Sequence, residues 1–172
     1  AELIDRYLEQ CRSYFAMPLE TKLQWKRNDS NARGFFNDEL TQQKRDWKQC
    51  LDVGIPASRD WSINDDNPQN DCLDGKNQLP QEDDLPGFRR TISTYFDALS
   101  ILADRIAIIM AKGLGQDESS LIIKQLRENH SSYLRSNYYP ICDESGDPKP
   151  LGISPHRDAG FLTILLQDVD CH

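Results

Sequence analysis

The chain has 172 residues and only three histidines, His130, His156 and His172. His156 is followed two positions later by Asp158, just before an apolar run that begins at Phe161. In an extended segment, side chains two positions apart project to the same face, so this imidazole and this carboxylate can act as neighbouring metal ligands. Two histidines and one carboxylate on one face of the metal form the ligand set of non-haem Fe(II) sites. A lone His-x-Asp is more often a surface histidine beside a solvated aspartate.

A second set of polar groups lies in residues 132–139, whose aromatic-rich sequence predicts a β-strand. Alternation places Tyr133, Arg135, Asn137 and Tyr139 on one face and the more apolar residues on the other. A polar row that faces inward needs a ligand, a metal shell or water as its partner. The alternative is a solvent-exposed face, which is usual in antiparallel sheets.

The elements that position these residues follow an order along the chain: the predicted helices come first and the predicted strands last. This order indicates an α+β fold. Apolar residues recur every three or four positions from Leu3 to Phe15 and predict a helix that ends near Met17 and Pro18. The principal helix is predicted over residues 84–112, with Asp84 as its cap. Its apolar face, expected to pack against the sheet, consists of Phe88, Ile92, Tyr95, Leu99, Leu102, Ile106 and Ile109.

The remaining segments have weaker patterns. Residues 26–46 are polar and predict loops and turns, and residues 46–54 predict a short strand or an extended segment. Residues 64–84 are acidic, without periodicity, and predict an exposed loop. A short helix is expected over 119–127 and a strand over 161–167.

Composition excludes several classes of protein. Lys and Arg number 20 and Asp and Glu 28, giving a net charge of −8 that argues against nucleic-acid or membrane-surface binding. Neither a membrane-spanning run nor a signal peptide is visible. The five cysteines are widely spaced, without a Cys-x-x-Cys pair, which is typical of reduced thiols in a cytoplasmic protein.

Several motifs, in order along the chain, resemble those of the iron(II)/2-oxoglutarate-dependent oxygenases of the isopenicillin N synthase-like group. The late pair, NYYP followed by H-x-D and LT-x-L-x-QD, is specific, and the early motifs support it. The matching segments are residues 15–22 (FAMPLETK), 33–36 (RGFF), 46–48 (DWK), 137–140 (NYYP), 152–158 (GISPHRD) and 161–168 (FLTILLQD).

The resemblance implies part of a double-stranded β-helix, or jelly-roll, with N-terminal helices and one long packing helix. It divides the chain into an N-terminal, mainly helical region (1–128) and the first strands of the barrel (129–172). It further implies that the chain lacks the extreme N-terminus and the C-terminal part of the barrel. The second histidine ligand and the Arg-x-Ser pair that grips 2-oxoglutarate are expected downstream, since His172 lies too close to Asp158.

The site residues follow from the same resemblance. His156 and Asp158 take the positions of two iron ligands, and Asn137 and Tyr139 those of cosubstrate-contacting residues. Arg135 shares their strand face and is a further cosubstrate candidate.

The implied function is oxidation of a small-molecule substrate by Fe(II), 2-oxoglutarate and O2, through hydroxylation, desaturation or cyclisation. The complete protein is then an enzyme, and this chain alone is expected to be inactive. One alternative is a non-catalytic remnant or interaction module of the same fold. A metal-hydrolase site at His156 and Asp158 is a weaker alternative, because no general base stands at a recognisable spacing.

Overall fold

The computed structural model describes residues 2–55, 75–117, 132–141, 151–158 and 160–169. The helix expected over 119–127 and most of the loop expected over 64–84 lie outside these residues. Among the residues that are described, no helix is long and apolar enough to cross a membrane.

The first helix, α1, spans Glu2–Ala16 and confirms the prediction from the apolar spacing. Its buried residues Tyr7, Tyr14 and Phe15 lie on one face. Pro18 lacks an amide hydrogen and follows directly on the turn at Met17, where α1 has ended. A short helix α2 (Leu19–Lys22) and a 3₁₀ turn (Leu23–Trp25) continue the chain towards the sheet.

The main sheet has three antiparallel strands in the order β1-β4-β5. These strands are β1 (Gly34–Phe36), β4 (Gln49–Gly54) and β5 (Tyr133–Tyr138), and a separate hairpin joins β2 (Leu40–Thr41) to β3 (Lys44–Arg45). The strands predicted near 46–54 and 132–139 are confirmed. The prediction of loops alone over 26–46 is wrong, because strands of two or three residues are too short to show alternation.

The central strand β4 is buried on both faces. Leu51 and Val53 join the hydrophobic core under the helices. Cys50 and Asp52 project to the opposite face, where they pair in register with Asn137 and Arg135 of β5. The polar row of β5 therefore lies on the sheet face that is turned away from the helices.

The long helix α3 spans Phe88–Gly113 and begins four residues later than predicted. Asp84 is not its cap, because the Asp84 carboxylate accepts a hydrogen bond from the Gln81 amide instead. The residue at the N-cap position is Gly87, with φ of 75°. Glycine adopts this left-handed conformation without the steric cost that other residues incur.

Only the N-terminal half of the predicted α3 face is buried. Phe88, Ile92 and Tyr95 are buried, whereas Leu102 and Ile109 are exposed. This half packs on α1, since Tyr95 stacks on Tyr7 at 3.9 Å and Phe88 on Tyr14 at 5.2 Å between ring centroids, and it shares one buried cluster with Leu51 and Val53 of the sheet. Helical periodicity identifies an apolar face, but it does not reveal how far a neighbour extends along it.

Helix α1 contacts the sheet at β5. The Tyr7 hydroxyl lies 2.8 Å from the Ser136 hydroxyl, and the Phe15 ring stacks on Tyr138 at 5.5 Å. The apolar side of β5 is therefore covered by the first helix of the chain.

The strand expected over 161–167 is not formed in the structure, which shows irregular backbone there. Within the described residues the segment pairs with neither edge strand of the main sheet, β1 or β5. The segment is attached to α1 instead, since Arg12 Nε donates to the Asp168 carboxylate at 2.8 Å. The apolar, β-branched composition of residues 161–167 favours a strand, but it does not specify which other strand this segment would pair with.

We expect Ile92→Ala to lower the free energy of unfolding by about 2–5 kcal/mol, because it leaves a cavity in the α1–α3 core. The matched substitution Ile109→Ala, on the exposed part of the same helix, is expected to change it by about 0.5 kcal/mol or less. Urea denaturation followed by circular dichroism measures both. Equal losses in the two variants would contradict the packing described here.

Candidate metal centre

His156 and Asp158 lie side by side in an irregular segment, residues 151–158, that follows the sheet in sequence. The His156 Nε2 atom is 3.3 Å from Asp158 Oδ1, and the two side chains are 42% and 53% exposed. The structure thus brings together the two residues expected to act as metal ligands.

The hydrogen bonds around this pair orient both side chains. His156 Nδ1 lies 3.0 Å from the carbonyl oxygen of Ser154. A carbonyl can only accept, so Nδ1 carries a proton, and in the neutral form of the ring it is the lone pair of Nε2 that faces Asp158. The other carboxylate oxygen of Asp158 accepts a hydrogen bond from the Thr163 hydroxyl at 2.7 Å.

This donor set fits a cation. A nitrogen lone pair and a carboxylate oxygen face each other 3.3 Å apart. Two donors that bind one ion at about 2.1 Å and about a right angle lie about 3 Å apart. In the described part of the chain no third His, Cys, Asp or Glu joins them, so the pair supplies two ligands.

An open cavity of about 780 Å³ adjoins the pair. Its walls come from the β2–β3 hairpin, from β5 and from the segment that carries His156. The lining residues are Glu39, Leu40, Thr41, Gln42, Tyr133, Arg135, Ile153, Pro155, His156, Arg157 and Asp158.

Asn137 and Tyr139 were expected to reach the same cavity, and the structure does not place them in its wall. The Cys50 thiol donates to the Asn137 carboxamide oxygen at 3.1 Å. The Tyr139 ring packs over Gly152, where an added Cβ would come within 2.6 Å of it. Asn137 lies opposite Cys50 on the predicted face of β5, further along the strand than the cavity extends, and Tyr139 follows the end of the strand.

A network of buried charges supports the cavity from the polar side of the sheet. Lys48, with a side chain only 2% exposed, lies 2.6 Å from Glu39 and 3.0 Å from Asp46. Arg135 makes a two-pronged ion pair with Asp52, both contacts at 2.8 Å, and also contacts Glu39 at 3.0 Å. Glu39 therefore pairs with both cations. Through these ion pairs it connects the hairpin to the sheet.

The pKa values of this network favour its charged forms. Burial raises the pKa of Asp46, but hydrogen bonds from Thr41 and Lys48 outweigh it, so the pKa lies below its usual range. Burial likewise opposes the ionised form of Glu39, and the Lys48 hydrogen bond and the Arg135 charge lower its pKa overall. The same contacts raise the pKa of Lys48 despite its burial.

The segment that carries His156 is attached to the hairpin and to the residues that follow it. Gln42 Nε2 donates to the Pro155 carbonyl at 2.8 Å, and the Trp47 amide donates to the Leu151 carbonyl at 2.9 Å. The Ser154 amide donates to Asp46 Oδ1 at 3.4 Å.

Apart from the family resemblance, no sequence pattern indicated that Glu39, Gln42 or Lys48 belongs to the site. The Asp46-Trp47-Lys48 motif was visible as a family resemblance, and its buried ion pair is what the motif contributes here. Charged residues in a short polar segment are otherwise typical of a solvated surface.

Two family models match parts of this chain. Residues 1–82 match the family model described as "non-haem dioxygenase in morphine synthesis N-terminal". Residues 130–170 match the model of the 2OG-Fe(II) oxygenase superfamily, and these include His156 and Asp158.

Individual relatives are oxygenases by name. The chain is 32% identical to jasmonate-induced oxygenase 2 of Arabidopsis thaliana, over 97% of this chain and 41% of that protein. It is 30% identical to oxoglutarate-dependent flavonoid 7-O-demethylase 1 of Ocimum basilicum, over 97% of this chain and 40% of that protein. The chain spans about half the length, or less, of the curated relatives it matches.

Solved structures show the same fold. The crystal structure of JOX2 in complex with 2OG, Fe and JA superimposes with a TM-score of 0.70 at 25% identity, covering 92% of this chain and 43% of that one. The mixed helix and sheet described above is thus part of the jelly-roll fold of such oxygenases, and the expected fold class is confirmed. The chain belongs to the 2OG-Fe(II) oxygenase superfamily.

We expect Lys48→Met to lower the free energy of unfolding by about 3–5 kcal/mol, because it leaves the buried carboxylate of Asp46 without its cation and Glu39 with Arg135 alone. Lys26→Met removes an exposed ion pair with Asp38 and serves as the control, with an expected loss of about 0–1 kcal/mol. Urea denaturation at neutral pH measures both. A Lys48 variant as stable as the Lys26 variant would show that the network does not stabilise the fold.

Acid should weaken the same network. The pKa values of Glu39 and Asp46 are lower in the folded chain, so their stabilisation is complete above about pH 5 and is lost as the pH falls through the folded pKa values. Urea denaturation between about pH 7 and pH 3 should show this decline. Glu39→Gln should flatten the curve, and an unchanged slope in that variant would contradict the assignment.

Proposed function

We propose that the whole protein is an oxygenase that uses Fe(II), 2-oxoglutarate and O2 to oxidise a small organic molecule. One observation carries the proposal: His156 Nε2 and Asp158 Oδ1 lie 3.3 Å apart at the edge of an open cavity, with their hydrogen bonds directed as in a metal ligand pair. Iron with its cosubstrate supplies O2 activation in such a site, leading to hydroxylation, desaturation or cyclisation of the substrate.

In this proposal His156 and Asp158 hold the iron. The Ser154 carbonyl keeps the proton on Nδ1, which leaves Nε2 available as the donor atom. The Thr163 hydroxyl holds one carboxylate oxygen of Asp158 and leaves the other directed at His156. Hydrogen bonds of this kind fix ligand orientation and are therefore part of the metal site.

Three residues in or next to β5 are proposed to contact 2-oxoglutarate, and the structural support differs among them. Asn137 uses its carboxamide oxygen for Cys50, and within the described residues its NH2 group has no partner. Burial raises the pKa of the Tyr139 hydroxyl, which keeps it a proton donor at neutral pH. Arg135 lines the cavity, but its guanidinium already pairs with two carboxylates, and an anionic cosubstrate would compete with them.

A small-molecule substrate is supported by the cavity and by the names of the relatives. The cavity of about 780 Å³ suits a compact organic molecule. One relative is named as a flavonoid demethylase, and the JOX2 structure contains a bound small molecule. The alternative of a non-catalytic module is not favoured, because the relatives are oxygenases by name and the proposed ligands His156 and Asp158 lie in a geometry that suits a cation.

We further propose that the protein acts in the cytoplasm. Cys11 and Cys50 are free thiols in the structure, and the five cysteines lack the spacing of a disulfide framework.

We expect His156→Ala or Asp158→Ala in the whole protein to abolish Fe(II)-dependent formation of succinate from 2-oxoglutarate. Each substitution removes one of the few protein ligands and leaves the ion weakly held. His130→Ala, which changes a histidine without a motif match, is the control and should retain turnover. Near-normal succinate formation by either ligand variant would refute the assignment.

A further inference from the structure

The turn between β2 and β3 consists of Gln42 and Gln43, with φ angles of 52° and 63°. A two-residue hairpin turn of this kind requires positive φ at both positions, which asparagine and glycine adopt most readily. Glutamine does so at a cost, and such backbone strain clusters at functional sites. The side chains of this turn therefore merit a functional explanation.

The two glutamines make different contacts. Gln42 lines the cavity, and its Nε2 atom donates to the Pro155 carbonyl oxygen at 2.8 Å. In the described part of the chain Gln43 makes no side-chain hydrogen bond, although it shares the turn, the exposure and the positive φ. The turn thus provides one residue that reaches the metal-ligand segment and a neighbour that does not.

The Pro155 carbonyl is directly connected to His156. It belongs to the same planar peptide unit as the His156 amide nitrogen, so restraining this oxygen restrains the backbone that carries the imidazole. The preceding residue is held as well, because the Ser154 amide donates to Asp46 at 3.4 Å while the Ser154 carbonyl accepts from His156 Nδ1 at 3.0 Å. The backbone that carries the His156 ring is therefore restrained by hydrogen bonds from the hairpin and from the residue that follows it, Asp46.

We propose that Gln42 is a positioning residue for His156: its carboxamide holds the Pro155–His156 peptide so that the imidazole presents Nε2 beside Asp158. This proposal rests on the proposed function only in treating His156 as a metal ligand. Gln42 does not touch the donor atoms and acts through the backbone.

The test compares Gln42→Met with Gln43→Met in the full chain. Methionine keeps the length of glutamine and its neutral charge but removes the amide donor, so both variants carry the same strain at positive φ. The first readout is titration with Co(II) under neutral conditions, with His156→Ala as the reference for a lost ligand. We expect Gln42→Met to raise the Kd for Co(II) about tenfold, as losses of supporting contacts around metal ligands do. Gln43→Met should leave it unchanged.

The second readout needs no metal. Nitrogen-15 NMR of the neutral His156 ring reports which nitrogen carries the proton. We expect the Nδ1-protonated form to dominate in the unaltered chain and in Gln43→Met, and a mixture of both forms in Gln42→Met. A role confined to the stability of the turn would affect the two methionine variants alike.

The outcomes separate the two proposals. If Gln42→Met equals Gln43→Met in both readouts, the positioning role is refuted. If His156→Ala binds Co(II) as the unaltered chain does, the proposed metal site fails. In that case the NMR readout alone decides: a tautomer mixture specific to Gln42→Met supports the positioning of the ring, and its absence overturns it.

Discussion

The site depends on one arrangement of charge, the buried network in which Glu39 lies between Lys48 and Arg135. Burying charges is costly unless each meets a partner, and removal of either cation leaves carboxylates exposed to a low dielectric. The network therefore permits few arrangements of the hairpin relative to the sheet. That restriction defines the cavity wall opposite the segment that carries His156.

The two sides of β4 show how one strand serves both packing and chemistry. Leu51 and Val53 join an aromatic core made by α1 and the first half of α3, which anchors the strand. On the other side Asp52 holds Arg135 in register, so the polar row of β5 is aligned by the same strand that the core immobilises. The rigidity needed by the site thus originates in apolar packing on the far side of the sheet.

The sequence predicted the elements with strong periodicity and the residues with distinctive spacing. The helix from Leu3 to Phe15, the strand of β5 and the pairing of His156 with Asp158 are all present in the structure. The strand at 161–167 and the full burial of α3 were predicted wrongly, because both depend on neighbours that local patterns do not specify. The hairpin and its charges were missed because two-residue strands carry no period.

The pairing of β4 with β5 also has a consequence for how the chain folds. Asp52 and Arg135 are 83 positions apart in sequence, so the sheet closes only after a long intervening stretch of chain. Closing a long loop costs entropy before any contact forms, and non-local strand pairing is accordingly slow. During synthesis β4 must wait with one edge unpaired until β5 leaves the ribosome. During this interval the unpaired edge of β4 is a point at which another chain can add, which is how exposed strand edges promote aggregation.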